Sequence, residues 1–244
     1  MFISKSYSLD IIICFVTMLC WGSWGNTQKL SGKTWRFELF YWDYVLGILL
    51  FSLLLGFTLG SNGENGRGFI EDIGQAEPRN ILNAMIGGII FNAANILLVA
   101  AMAIAGMAVA FPVGIGIALA LGVIINYIFV PQGNPTWLFG GVSLIVVAII
   151  IDAIAYKKHS SSLKKVSGKG ILLSISAGVL MSLFYRFVAS SMSTSFEAPE
   201  AGKLTPYSAI FFFAVGVLFS NFLFNYLIMW RPFDGTPLSF TDYQ

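Results

Sequence analysis

Charge is what this sequence has least of. Only 11% of its 244 residues are charged, against about 25% in a typical soluble domain, too few to coat a water-facing surface. A soluble core of this size is excluded, and a mean hydropathy of +0.78 excludes a disordered chain as well. The 14 basic and 12 acidic residues leave a net charge of +2, which rules out a nucleic-acid footprint. The single histidine, His159, falls in a polar link, so zinc hydrolysis and histidine acid–base chemistry are excluded. No serine, cysteine or aspartate motif of an intramembrane hydrolase is visible. The reading is of a non-enzyme, with no cofactor and no resident metal. The two cysteines, Cys14 and Cys20, lie about 9 Å apart along a helix, beyond disulfide reach, and read as small apolar fillers.

What the sequence has in abundance is apolar length. Hydrophobic residues make up 57% of it, gathered into runs at 8–25, 39–60, 81–104, 107–129, 137–156, 170–192 and 207–230. Each approaches the ~20 residues that cross a bilayer's hydrocarbon. This predicts an all-α integral membrane protein with seven transmembrane helices. The first run follows Lys5 and lacks an A-x-A cleavage site, so it is read as a retained span. No charge separates the third and fourth runs, which break near Gly106. An N-terminus outside puts nine Lys and Arg on the cytoplasmic side and four outside, in line with the positive-inside rule. The expected location is therefore the plasma (inner) membrane with the N-terminus out.

The order of spans contains a repeat. Leu46-Gly47-Ile48-Leu49 follows the aromatic entry Phe40-Tyr41-Trp42, and Val215-Gly216-Val217-Leu218 follows Phe211-Phe212-Phe213. Span seven is the second span after the basic loop at 157–169, as span two is the second of the chain. The expected organisation is a five-helix repeat over 1–156, a basic cytoplasmic loop at 157–169, and a partial second repeat over 170–244, two helices and a terminal loop. An odd number of spans per repeat inverts the second relative to the first, as in many secondary transporters.

Two segments carry a resemblance: Cys20-Trp21-Gly22-Ser23-Trp24-Gly25-Asn26-Thr27-Gln28-Lys29 and Trp35-Arg36-Phe37-Glu38-Leu39-Phe40-Tyr41-Trp42-Asp43-Tyr44. Together they resemble the ureide permeases and the related glucose/ribose porter and rhamnose-symporter-like families of the drug/metabolite transporter superfamily. Ala110-Phe111-Pro112-Val113-Gly114-Ile115-Gly116 and Leu204-Thr205-Pro206-Tyr207 add to it. The resemblance implies ten spans in two inverted five-span halves, carrying a small polar solute by alternating access. Plant ureide permeases have a long central loop with a Walker-type sequence. Here the loop is short, and Ser167-Gly168-Lys169 does not fit G-x-x-x-x-G-K-[ST], which argues against nucleotide binding. With seven spans against ten, the stretch Arg231–Gln244 is expected to connect to an eighth span, and Asn221 and Asn225 to look toward lipid.

Polar side chains at membrane depth face the protein interior or a wet cavity. Asn92 and Asn95 share one helical face, as do Asn221 and Asn225. With Asn26 at the end of span one, these amides are candidates for solute binding, since each offers donors and acceptors to a neutral polyol or ureide; the other reading is interhelical glue. Asn126 ends span four. Trp21 and Trp24 are expected to stack on the solute or to sit in the interfacial aromatic belt, and Trp42 and Tyr44 in the belt. Among the acids, Asp43 is the candidate for proton coupling, while Glu38 is read as the partner of Arg36; five residues apart, the two point about 140° apart. Arg186, inside span six, is expected to pair with an acid or gate the outer mouth. The row Ala110, Gly114, Ala118, Gly122 marks a surface for close helix approach.

The function these features predict is secondary transport of a small neutral polar solute, sugar or ureide, with protons as the coupling ion and lipid as the solvent. Self-association or a partner chain would supply the missing helices. The alternatives are a seven-helix receptor and a non-catalytic membrane subunit. A retinal protein is excluded because 207–230 holds no lysine.

Overall fold

In hydrocarbon every backbone N–H and C=O must be satisfied within the segment, and apolar runs of this length meet that condition as helices. The computed structural model describes residues 1–30, 35–131, 133–159, 167–233 and 235–243. The helices are α1 (Tyr7–Leu30), α2 (Phe37–Phe57), α3 (Phe69–Gln75), α4 (Pro78–Ala105), α5 (Met107–Phe129), α6 (Pro135–His159), α7 (Gly168–Ser191) and α8 (Pro206–Trp230). A short 3-10 turn covers Phe240–Tyr243. Among the described residues there is no strand, only an isolated bridge between Met192 and Leu204.

Among the described residues, six helices (α1, α2, α4, α5, α7 and α8) are long and apolar enough to cross a membrane, which makes this a multi-pass membrane protein. The run read at 137–156 falls on α6, whose described apolar stretch, Pro135–Ile151, is shorter. Proline opens α4 and α8, where its missing N–H costs nothing and its fixed φ fits the first turn. Gly106, at φ +82°, is the single residue joining α4 to α5; the chain reverses there in a backbone conformation that glycine adopts without strain. The seven-residue α3 lies in what the sequence presents as a polar link, too short to show a helical period.

α4 is the centre of the bundle. It packs on α7, α8 and α5, and α2 joins through α8. The contacts are close because glycines meet backbone. A Cβ on Gly88 would strike the Phe213 carbonyl of α8, and one on Gly216 would strike the Met85 carbonyl of α4, so the two helices notch into each other. On the ridge of α5, a Cβ on Gly178 of α7 would lie 2.6 Å from the Gly114 carbonyl. The core formed this way holds Tyr41, Val45, Phe91, Ala94, Met181, Phe213 and Val217.

α1 is different. Every residue from Tyr7 to Ser23 is exposed, and both cysteines are free and exposed rather than packed as fillers. Among the described residues, Trp21 meets Phe91 edge-on at 6.2 Å, and Trp24 stacks on Tyr44 at 5.8 Å and packs against the core cluster of Val99, Ala101, Met102 and Ala110.

Polar groups tie the two ends of the bundle. At one end the Met1 amine donates to the Asn65 carbonyl at 2.7 Å, and Asn80 donates to the Gly202 carbonyl at 2.8 Å. At the other, Arg36 donates to the Thr236 carbonyl, and Lys169 lies over the Phe233 ring. Residues 160–166 of the basic loop lie outside the described residues.

Candidate functional site

The amides come first, because a carboxamide in the membrane must find partners. Asn92 and Asn95, three apart on α4, both face α2. The Tyr41 hydroxyl donates to Asn92 Oδ1 at 2.8 Å, and Asn95 Nδ2 donates to the Tyr41 oxygen at 3.2 Å. Asn92 Nδ2 reaches the Ser220 hydroxyl of α8 at 2.9 Å. Asn225 Nδ2 donates to the Glu38 carbonyl at 2.8 Å. Asn221 and Asn225 are fully buried, contrary to the expectation that they look toward lipid. The reason is that α8 turns this face to α4 and α2 of the first half, drawn in by the Gly88–Gly216 notch. These four amides therefore stand at the α2–α4–α8 interface. Both polar atoms of Asn221 lack a hydrogen-bond partner among the described residues.

A cavity of about 750 Å³ opens elsewhere, between α5 and α7, with Trp21 of α1 and Leu138 of α6 closing its sides. That volume lies within the range of small-molecule pockets, roughly 300–1,000 Å³. Its polar lining is Asn126, Tyr127, Ser182, Tyr185, Arg186, Ser193 and Thr194. The helices aim these groups by spacing: Ser182 and Arg186 are four apart on α7, and Gly122 and Asn126 four apart on α5, so each pair shares a face. Asn126 Nδ2 donates to the Gly122 carbonyl at 2.7 Å. The guanidinium of Arg186 lies 4.3 Å over the ring of Phe129. At the rim, the Thr194 hydroxyl donates to the Glu200 carboxylate at 2.7 Å; this bond, with one from the Thr194 N–H, holds the Glu200 carboxyl below its ordinary pKa.

Of the residues singled out from sequence, the cavity brings together Trp21, Asn126 and Arg186, with Ala118 and Gly122 of the small-residue row. Trp24 is half-buried against Tyr44, Asn26 is exposed, and the other four asparagines are in the helix interface. Trp42 is buried rather than interfacial, its indole N–H 3.3 Å from the Met229 sulfur. Glu38 is buried and accepts from Arg36 at 2.6 Å. Asp43 is exposed on α2, outside the cavity lining. Tyr127, Ser182 and Tyr185 were not singled out; the four-residue spacing of Ser182 and Arg186 is the signal that could have found them.

The cavity is walled mainly by apolar side chains with a few polar groups among them, and the ureide permease family pattern matches residues 40–169, just over half of the sequence. The chain belongs to the ureide permease family. It is a membrane transporter and not an enzyme. The permease is similar to ureide permease 3 of Arabidopsis thaliana, with 23% identity over 98% of this chain and 77% of that protein. Ureide permease 1 of the same plant is 22% identical, over 98% of this chain and 76% of that protein. The probable ureide permease A3 of Vigna unguiculata is 24% identical over 62% of this chain and 42% of that protein. No solved structure matches the permease. The family match takes in α5 and most of α2, which supply the long wall of the cavity and the Tyr41 hydroxyl between the asparagines.

Proposed function

We propose that this permease carries a small polar ureide across the plasma membrane by alternating access, with the cavity between α1, α5, α6 and α7 as its solute site. The observation that carries the reading is the cavity itself: about 750 Å³ between α5 and α7, lined by hydroxyl, amide and guanidinium groups and by the Trp21 ring. A ureide is planar and rich in N–H and C=O, so it suits stacking on an indole while its edge meets amides and hydroxyls. The names of the relatives favour ureide over sugar as the solute.

Access alternates, on this reading, by displacement of α1 against a rigid block of α4, α7 and α8. The block is packed through glycine, whereas α1 is fastened by the packing of Trp24 and by ring contacts, the latter worth about 0.5–1.5 kcal/mol each. The N-terminus lies outside, seven spans cross the membrane, and α7 and α8 repeat α1 and α2 in the opposite sense. Gly216 accepts the α4 backbone, while around its counterpart Gly47 there is nothing within 4 Å. That open face of α2 and the exposed length of α1 are where a partner chain or second copy would pack.

Counterflow in proteoliposomes tests the function. Purified protein preloaded with unlabelled allantoin is expected to accumulate labelled allantoin transiently and saturably, with no ionic conductance. Exchange of hexose with no exchange of allantoin would overturn the ureide reading, and unsaturable flux would overturn the carrier.

Protons are the coupling ion, taken up at Asp43. Of the two acids of α2, Glu38 is buried and Asp43 is exposed, so it is Asp43 that protons can reach from water. Asp43→Asn is expected to lower pH-driven accumulation at least tenfold while solute exchange at equal pH persists. Accumulation at the wild-type level would remove Asp43 from the mechanism.

A further inference from the structure

Among the described residues, no ion pair involves Arg186. It is half-buried on α7 and lines the cavity. Among the described residues the ion pairs are Arg36–Glu38 and Arg67–Asp72, and no hydrogen bond involves its guanidinium; its one described contact is the face of the Phe129 ring. No aspartate or glutamate lines the cavity. The acid at the rim, Glu200, has its carboxylate engaged by Thr194. The other cation nearby, Lys203, donates to the Ser190 carbonyl one turn beyond Arg186, and its charge is offset by the Glu200 carboxylate.

A guanidinium at membrane depth is costly unless water or an anion compensates it. While the cavity is wet, water does so. A solute that enters displaces that water, and what it offers in return decides its affinity. A neutral ureide returns carbonyl oxygens, whereas a carboxylate returns two charged oxygens spaced to match the guanidinium fork, giving shorter and stronger hydrogen bonds. Phe129 covers one face of the guanidinium, which leaves the N–H groups in its plane uncovered by that ring. The neighbouring Tyr185 hydroxyl can serve the rest of the molecule; the Ser182 O–H is donated to the Val179 carbonyl at 2.6 Å.

We infer that Arg186 is the specificity-determining residue of this cavity and that it selects anionic ureides, open-chain ureido carboxylates, over neutral cyclic ones. This rests on the cavity being the solute site proposed above.

The test uses the full chain in proteoliposomes. Two solutes of the same shape, N-carbamoylglycine and its neutral amide, compete against exchange of labelled allantoin. In the wild type the carboxylate is expected to inhibit at least tenfold more strongly than the amide, a difference of about 1.4 kcal/mol. In Arg186→Gln the ratio is expected to fall to near one. In Arg186→Lys, which keeps the charge but loses the fork, it should fall to an intermediate value. Equal inhibition by the two compounds in the wild type would overturn the inference, and that measurement needs no variant to fold. A tenfold ratio surviving in Arg186→Gln would also overturn it, by placing the selectivity elsewhere. Absence of allantoin exchange together with absence of direct uptake of labelled N-carbamoylglycine would sink the ureide reading itself, and the inference with it.

Discussion

Gly216→Val should lower the stability of the permease by about 3 kcal/mol or more, whereas Gly47→Ala on α2 should leave it unchanged or slightly raise it. The two glycines occupy the same place in the repeated aromatic-then-glycine pattern, yet their surroundings differ. A Cβ at Gly216 runs into the backbone of Met85, and backbone cannot rotate away as a side chain can. Helices α4 and α8 must separate, losing the Gly88–Phe213 contact and straining the Asn92–Ser220 bond as well. Overpacking of a tight core costs about 1–3 kcal/mol and occasionally more, and a two-backbone clash belongs at the upper end. At Gly47 nothing lies within 4 Å, so alanine gains helix propensity of roughly 0.5–1 kcal/mol at no steric cost. Thermal unfolding in detergent checks both: a drop of roughly 6–12 °C for Gly216→Val, and no drop for Gly47→Ala. Equal melting temperatures would mean that the α4–α8 notch is not a principal source of stability.

Asp72→Ala should be nearly as damaging, although the residue lies in a connection between spans. Asp72 is fully buried. One carboxylate oxygen faces Arg67 Nε at 3.0 Å, and the other accepts from the Thr205 N–H at 2.7 Å and from the Ser208 hydroxyl. It therefore closes the start of α8, where a negative charge also favours the helix dipole. Removing it leaves the Arg67 charge and two donors uncompensated, which costs about 3–5 kcal/mol for a buried pair. Asp72→Asn retains an oxygen for Thr205 and should lose less. Limited proteolysis between residues 193 and 205, read beside the melting curve, measures the effect; a cleavage rate equal to wild type in Asp72→Ala would show that the lock is dispensable.

These two cases divide what could be read in the sequence from what could not. The helices were legible because hydrocarbon admits few alternatives: each run that satisfies its backbone internally appears as a helix, and Pro78, Pro135 and Pro206 mark starts. The shared faces of Asn92 with Asn95 and of Asn221 with Asn225 were legible from spacing. Their partners were not, since Tyr41 and Ser220 lie 51 and 128 residues from Asn92 and no local pattern connects them. Asp72 was hidden for a related reason. A carboxylate in a polar link reads as a marker of topology, and only the approach of Thr205 and Ser208 reveals a buried lock. Trp42 shows the same limit, because a tryptophan near a helix entry fits the aromatic belt as well as it fits Met229. The cavity needed α5 and α7 to be set side by side before Ser182 and Arg186 could be seen to face Asn126.

The partnership of Asn92 also bears on how the permease is made. Synthesis proceeds from the N-terminus, so α2 is in the membrane when α4 emerges, and Tyr41 can engage Asn92 and Asn95 at once. The amide of Asn92 that donates to Ser220 has no such luck: its acceptor is 128 residues further along the chain, beyond α5, α6 and α7. Through that interval α4 carries an unmet amide and an unfilled notch at Gly88, and both are resolved by the same event, the arrival of α8. Insertion and assembly are thus separate in time for this helix. Its closing partner leaves the ribosome only after α5, α6 and α7, and a chaperone or the insertion machinery has α4 to shelter until then.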